Sequence, residues 1–168
     1  MKPTPLTIVV DTRESWPHPW APFLPDVQLI RAYLETGDFA LAGAESGAVV
    51  ERKTLPDFLA CIGGERTRFD KELLRARYMQ SFCIVIESTL VEVLHRPSGL
   101  HPSAIIGSIA AWSRRGFPVV FAGSPRLAAQ FSYRYLVQQV TEARRIVTAV
   151  EGHATEASEQ PTIEGTAP

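Results

Sequence analysis

The sequence predicts an α/β fold: a central mixed β-sheet flanked by helices, with a long helix at the C-terminal end. Three observations carry that reading. Short apolar runs alternate with helix-patterned segments after residue 53. Two such runs, 37–41 and 48–53, are joined by a loop bearing Gly43 and Gly47, which predicts a hairpin and makes the sheet mixed. From Ala129 onward, Tyr133, Leu136, Val140, Ala143, Val147 and Val150 recur at alternating spacings of four and three, the period of a helix.

Each element has its own cause. Leu6-Thr7-Ile8-Val9-Val10-Asp11 is a β-branched run ending at an acid, a buried strand. The segment Trp16-Pro17-His18-Pro19-Trp20-Ala21-Pro22 is a loop, because three prolines remove donors and fix φ. Its tryptophans are expected to anchor the loop to the core. Residues 27–34 read as a second strand, followed by the hairpin. Thr54 caps a helix with Pro56 in its first turn, in which Leu55, Phe58, Leu59 and Ile62 share a face before Gly63-Gly64 ends it. Residues 65–79 form a helix with one buried face, 81–87 a continuous apolar strand, and 101–115 a further helix closed by Gly116. Residues 118–122 are a strand, and Ser124-Pro125 opens the last helix.

At 168 residues the chain is one domain's worth of protein. A hydrophobic fraction of 45 % and a charged fraction of 21 % exclude wholesale disorder and a rod. No apolar run approaches the ~20 residues needed to span a bilayer, so no membrane partner is expected. No secretory leader is legible at residues 1–11. Cys61 and Cys83 lie in apolar surroundings and read as buried free thiols. A cytoplasmic protein is expected, nucleoid-associated if prokaryotic.

The net charge of −1 conceals an uneven distribution. Between residues 101 and 150, six arginines face the single acid Glu142, whereas 151–168 carries four glutamates and no basic residue. That acidic tail has few large apolar groups and is expected to be disordered. The basic body is compatible with a polyanionic partner.

The chemistry concentrates in the hairpin. Alternate residues of a strand share a face, so Glu51 and Lys53 project together and Arg52 projects the other way. A closed hairpin brings Asp38 opposite them, and Asp11 can join from a neighbouring strand. Converging carboxylates repel one another, and a hard divalent cation relieves that repulsion. With one lysine added, these are the parts for metal-assisted phosphodiester hydrolysis. Each signal alone is equally compatible with a solvated ion pair or a helix cap.

Val10-Asp11-Thr12-Arg13-Glu14, Gly37-Asp38-Phe39 and Glu51-Arg52-Lys53-Thr54-Leu55-Pro56-Asp57 resemble, in order and approximate spacing, the signature of XPF-type structure-specific DNA nucleases. Arg68-Phe69 extends the likeness, with Thr67 where that family usually has glycine. The resemblance implies a restriction-endonuclease-like core, a nuclease domain over residues 1–150 and a tail over 151–168. It implies Asp38, Glu51 and Asp11 as ligands of Mg²⁺ or Mn²⁺, helped by the carbonyl of Arg52, and Lys53 as the catalytic lysine. Glu14 would support the metal site, together with Arg13. Asp57 would hold the Arg52 and Lys53 positions, and Arg68 would reach a phosphate or brace the acids.

The function so implied is a divalent-metal-dependent endonuclease that cuts branched or flapped DNA near the junction. The rivals are a non-catalytic DNA-binding or scaffold subunit, and a nuclease resembling Holliday-junction resolvases. The resemblance further implies a homodimer through the C-terminal helix, whose apolar surface is wider than one side of a sheet needs, and a partner supplying the helix-hairpin-helix grip on DNA that many members carry.

Overall fold

The computed structural model describes residues 6–158. Its elements are β1 (Thr7–Asp11), β2 (Gln28–Ala32), β3 (Phe39–Leu41), β4 (Ala48–Lys53), α1 (Leu55–Ile62), α2 (Arg66–Ala76), β5 (Ser81–Ile86), α3 (Leu90–His95), α4 (Pro102–Arg114), β6 (Val119–Phe121) and α5 (Pro125–Ser158). The strands form one six-stranded sheet in the order β2-β1-β3-β4-β5-β6. Strand β3 pairs antiparallel with both β1 and β4, and the remaining pairs are parallel. The sheet is therefore mixed, and β1 and β4 run in the same direction.

Alternation along the strands divides the core in two. Val9, Ala40, Val49, Phe82, Ile84 and Ile86 pack with Phe58, Phe69, Leu73, Ile105 and Trp112 of α1, α2 and α4. Ile8, Val10, Phe39, Leu41, Val50, Cys83 and Val85 pack on the other face with Trp20, Leu24 and Ala128, Ala129 and Leu136 of α5. The Phe58, Phe69 and Trp112 rings meet edge to face at 5.1–6.0 Å. Both cysteines are buried thiols.

Three local differences from the sequence reading have physical causes. Helix α3 is a six-residue element fixed by a reciprocal cap between Thr89 and Glu92, too short for an apolar period to reveal. Strand β2 is shorter than its apolar run and mostly exposed, because it lies at the sheet edge. Helix α5 runs beyond Val150, where the reading placed the start of a disordered tail, and reaches Ser158. Extending an established helix adds one hydrogen bond per residue without the cost of nucleation, so alanines and glutamates prolong it without an apolar anchor. Residues 159–168 of that tail lie outside the described residues. Among the described residues no helix is long and apolar enough to cross a membrane.

Candidate active site

Because β1 and β4 run the same way and β3 runs against both, the end of β1, the start of β3 and the end of β4 meet at one end of the central strands. Backbone bonds weld them: Asp11 N–H donates to the Asp38 carbonyl and Asp38 N–H to the Val50 carbonyl, both at 2.9 Å. The Asp38 carboxylate then accepts from the Arg52 N–H at 2.7 Å. Gly37 makes this approach possible. Its φ is +75°, and a Cβ there would stand 2.2 Å from Val49 Cγ1, so the residue before Asp38 has to be glycine.

Asp38 and Glu51 share the face that carries α1 and α2, and Lys53 lies with them. Glu51 is 2 % exposed and Lys53 8 %; the lysine ammonium contacts Glu51 Oε1 and stands 5.0 Å from the Phe69 ring. Glu51 Oε2 is buried with no hydrogen-bond partner. Burial, and then the charge of Asp38, push the Glu51 carboxyl well above its usual range. Burial and the charge of Glu14 push Asp38 up to about 7. Burial works against the Lys53 ammonium, but the charges of Glu51 and Asp38 overcome it and hold the amine more firmly protonated than usual.

Asp11 is fully buried and already occupied: Oδ1 accepts from the Arg13 backbone and side chain, and Oδ2 from Leu34 N–H at 2.6 Å. Those bonds outweigh burial and hold its carboxyl below the usual range. Asp11 thus braces the end of β1 against the segment leading into β3, and a ligand role would require these bonds to open. Arg13 ties the same brace to the Leu34 carbonyl at 2.9 Å.

The other face of the sheet supports the site from behind. Arg52 projects there, and Glu87 grips its guanidinium from two directions, at 2.8 and 3.1 Å. Glu14 adds a contact at 3.2 Å. Trp20 donates its indole N–H to Glu87 at 2.7 Å and stacks on Phe39 at 4.5 Å. Buried His18 bonds Glu14 at 2.9 Å, which with Arg52 holds that carboxyl low. The proline-rich loop is an anchor, as its tryptophans suggested for Trp20, while Trp16 stays 46 % exposed.

Two residues stand apart from the acids. Asp57 does not reach Arg52 or Lys53; its carboxylate accepts from Thr54 Oγ1 at 2.6 Å and its N–H donates back at 3.4 Å, so the helix cap claims it. Arg68 does not brace the acids; its side chain is 71 % exposed and pairs with Glu65 one turn earlier, because it points outward from α2. Glu14 supports the site from the opposite face of the sheet. Two residues escaped the sequence reading. Glu87 ends the apolar β5 run as Asp11 ends β1, and that parallel was the available signal. Glu72 follows Phe69 by one helical turn and bears on both Asp38 and Glu51.

The donor set fits a hard divalent cation. Two carboxylates raised by burial and by neighbouring acids, one with a buried orphan oxygen, are relieved by positive charge. Among the described residues no three Asp, Glu, His or Cys side chains converge into a ready-made metal cluster. The Lys53 ammonium is the cation that meets Glu51.

A six-stranded mixed sheet that gathers two acids and a lysine on one face at the ends of its central strands has the XPF nuclease fold. Among the solved structures that share it are XPF from Aeropyrum pernix, with a TM-score of 0.65, 23 % identity and coverage of 94 % of this chain and 75 % of that one, and XPF from the same organism in complex with DNA, with a TM-score of 0.62, 21 % identity and coverage of 82 % and 66 %. The chain belongs to the ERCC4 domain family, whose model matches residues 10–135; it is an XPF-type nuclease domain. Nothing among the curated proteins matches it.

Proposed function

We propose that this domain is a divalent-cation-dependent endonuclease that hydrolyses one strand of branched or flapped DNA near the junction, working as a homodimer. The observation that carries the reading is Glu51, buried with an orphan oxygen beside Lys53 and Asp38. Asp38 and Glu51, with the carbonyl of Arg52, would hold Mg²⁺ or Mn²⁺. When bound, the cation supplies charge against the scissile phosphate and acidifies water.

The chain's own residues do the rest. Lys53 stays an ammonium, so it acts as a fixed positive charge toward the phosphate oxygens and not as a base. Water adds to phosphorus as the bond to the leaving oxygen breaks, and the leaving oxygen takes up a proton. Arg52, clamped by Glu87 and Glu14, fixes the backbone between Glu51 and Lys53 so that both point into the site. Arg68, exposed at the rim, is free to swing from Glu65 to a phosphate. DNA as partner is supported by the structural neighbour solved in complex with DNA.

Dimerisation is supported by α5, where Leu127, Ile146 and Val147 are exposed, and by the groove of about 790 Å³ lined by Phe23, Leu24, Val27, Val120, Leu127 and Phe131. A second protein supplying a further grip on DNA remains part of the proposal.

The test is cleavage of flap, fork, duplex and single-stranded DNA by the purified chain with Mg²⁺ or Mn²⁺, alongside Lys53→Ala and Asp38→Asn. Junction-proximal nicking that both substitutions abolish is expected. Activity surviving both places the chemistry elsewhere. Binding without cleavage by the wild type makes the domain a scaffold subunit, and symmetric cutting of four-way junctions makes it a resolvase.

A further inference from the structure

Edge strand β2 ends beside the site, and the residue that follows it has no task in the mechanism. Strands β2, β1 and β4 run in one direction, so all three finish at the end of the sheet that carries the acids. Asp11 pairs with Ala32, which puts Tyr33 one step past the last pair. Ala32 and Leu34 turn into the core against α1 and α2, so alternation turns Tyr33 away from it. The residue is 69 % exposed.

Exposed as it is, the ring has a fixed mounting. The next residue, Leu34, donates its N–H to Asp11 Oδ2 at 2.6 Å and offers its carbonyl to Arg13 Nη2 at 2.9 Å. Arg13 is bonded to Asp11 as well. These bonds hold its guanidinium 5.8 Å from the centre of the Tyr33 ring, within reach of a cation–π contact. Tyr78, 86 % exposed after α2, has no comparable ring contact among the described residues. Strands lie about 4.8 Å apart, so across the order β2-β1-β3-β4 Tyr33 stands roughly 10 Å from the strand of Asp38 and roughly 14 Å from that of Glu51 and Lys53. A stacked DNA strand rises about 3.4 Å per nucleotide, which places the ring about three or four nucleotides from a phosphate at the acids.

We propose that Tyr33, steadied by Arg13, is a stacking platform for an unpaired base of the DNA substrate on the β2 side of the cleavage site. The inference rests on the reading of this domain as an endonuclease that acts at junctions, where paired strands give way to unpaired ones. Every base has a π face, so an exposed aromatic ring takes unpaired nucleotides without reading their sequence. A base inside a duplex is already stacked on its neighbours and gains nothing from the ring. The half-exposed Arg13 beside it draws the phosphate chain to the same place.

The test is fluorescence anisotropy of the full chain on a labelled flap and on blunt duplex, in chelator so that nothing is cut, comparing wild type, Tyr33→Ala, Tyr33→Phe and Tyr78→Ala. Tyr33→Ala is expected to weaken flap binding about tenfold and leave duplex binding unchanged, while Tyr33→Phe, which keeps the ring, and Tyr78→Ala match wild type. A series of flaps, each with one abasic nucleotide in the unpaired arm, gives a readout that a structural role does not move. Wild type should lose about tenfold at one position, and Tyr33→Ala should lose nothing further there. Flap binding unaffected by Tyr33→Ala, an equal loss on duplex, or a wild type indifferent to every abasic position overturns the inference alone. A wild type that binds flap no tighter than blunt duplex overturns the junction reading beneath it.

Discussion

Asp38→Asn removes one charge from a place where the metal-free protein has no use for it. The Asp38 carboxyl rises from an ordinary 3.8 to about 7, chiefly through burial and then through the charge of Glu14. Each unit is worth about 1.4 kcal/mol, which sets a ceiling of about 4 kcal/mol on the destabilisation at alkaline pH. Asp38 is only partly buried and shares its environment with Glu51 and Lys53, so screening and relaxation reduce the effect to about 1–2 kcal/mol.

An asparagine oxygen still accepts the Arg52 N–H, so the strand contact survives the change. The sign follows from proton binding. Below about pH 4 both folded and unfolded forms carry the proton; between about 4 and 7 only the folded form keeps it, so stability falls as pH rises through that window. Asp38→Asn abolishes that slope. In chelator at about pH 8, the variant should melt roughly 3–8 °C above wild type, and the difference should vanish near pH 4. Scanning calorimetry across that range is the assay. A variant that melts lower than wild type at high pH, or a difference independent of pH, would refute the argument that the carboxylate is held at the expense of stability.

Lys53→Ala should lower cleavage at least about a hundredfold while the protein stays folded, measured by single-turnover nicking with circular dichroism as the control. Gly37→Ala forces a Cβ onto Val49 at positive φ and should cost about 2–4 kcal/mol in urea unfolding, with activity lost as Asp38 shifts. Glu87→Gln removes the charge and one of the two acceptor oxygens that hold the Arg52 guanidinium and should cost about 1–3 kcal/mol; its signature is a cleavage loss larger than the fraction unfolded explains. DNA binding by the isolated chain should weaken steeply between low and physiological salt, read by fluorescence anisotropy; a flat salt response would point to a contact surface other than the basic residues.

How far the site was legible in the chain depends on which interaction fixes each residue. Period-two alternation dictates that Glu51 and Lys53 share a face, since adjacent Cβ atoms of a strand must point oppositely. The Gly37-Asp38 pair likewise carries its reason locally, in a backbone that only glycine adopts. The helix cap at Thr54 was equally local, and its oxygen, three residues away, claims the Asp57 carboxylate that the resemblance assigned to Arg52 and Lys53. Asp11 could be placed at a strand end, but of the bonds that occupy it only those from Arg13 are local, and the one from Leu34 comes from a segment 23 residues further on.

Composition, periodicity and turn chemistry by themselves determined that this chain is an α/β domain with a hairpin presenting acids and a lysine, because those properties depend on neighbours a few residues apart. Only tertiary packing decided that Glu87, Glu14, His18 and Trp20 converge behind Arg52. These partners come from separate elements, and the sheet's mixed order places them together. A charge's effect depends on distance through the folded molecule and on the burial around it, and neither quantity exists until the strands have chosen their neighbours.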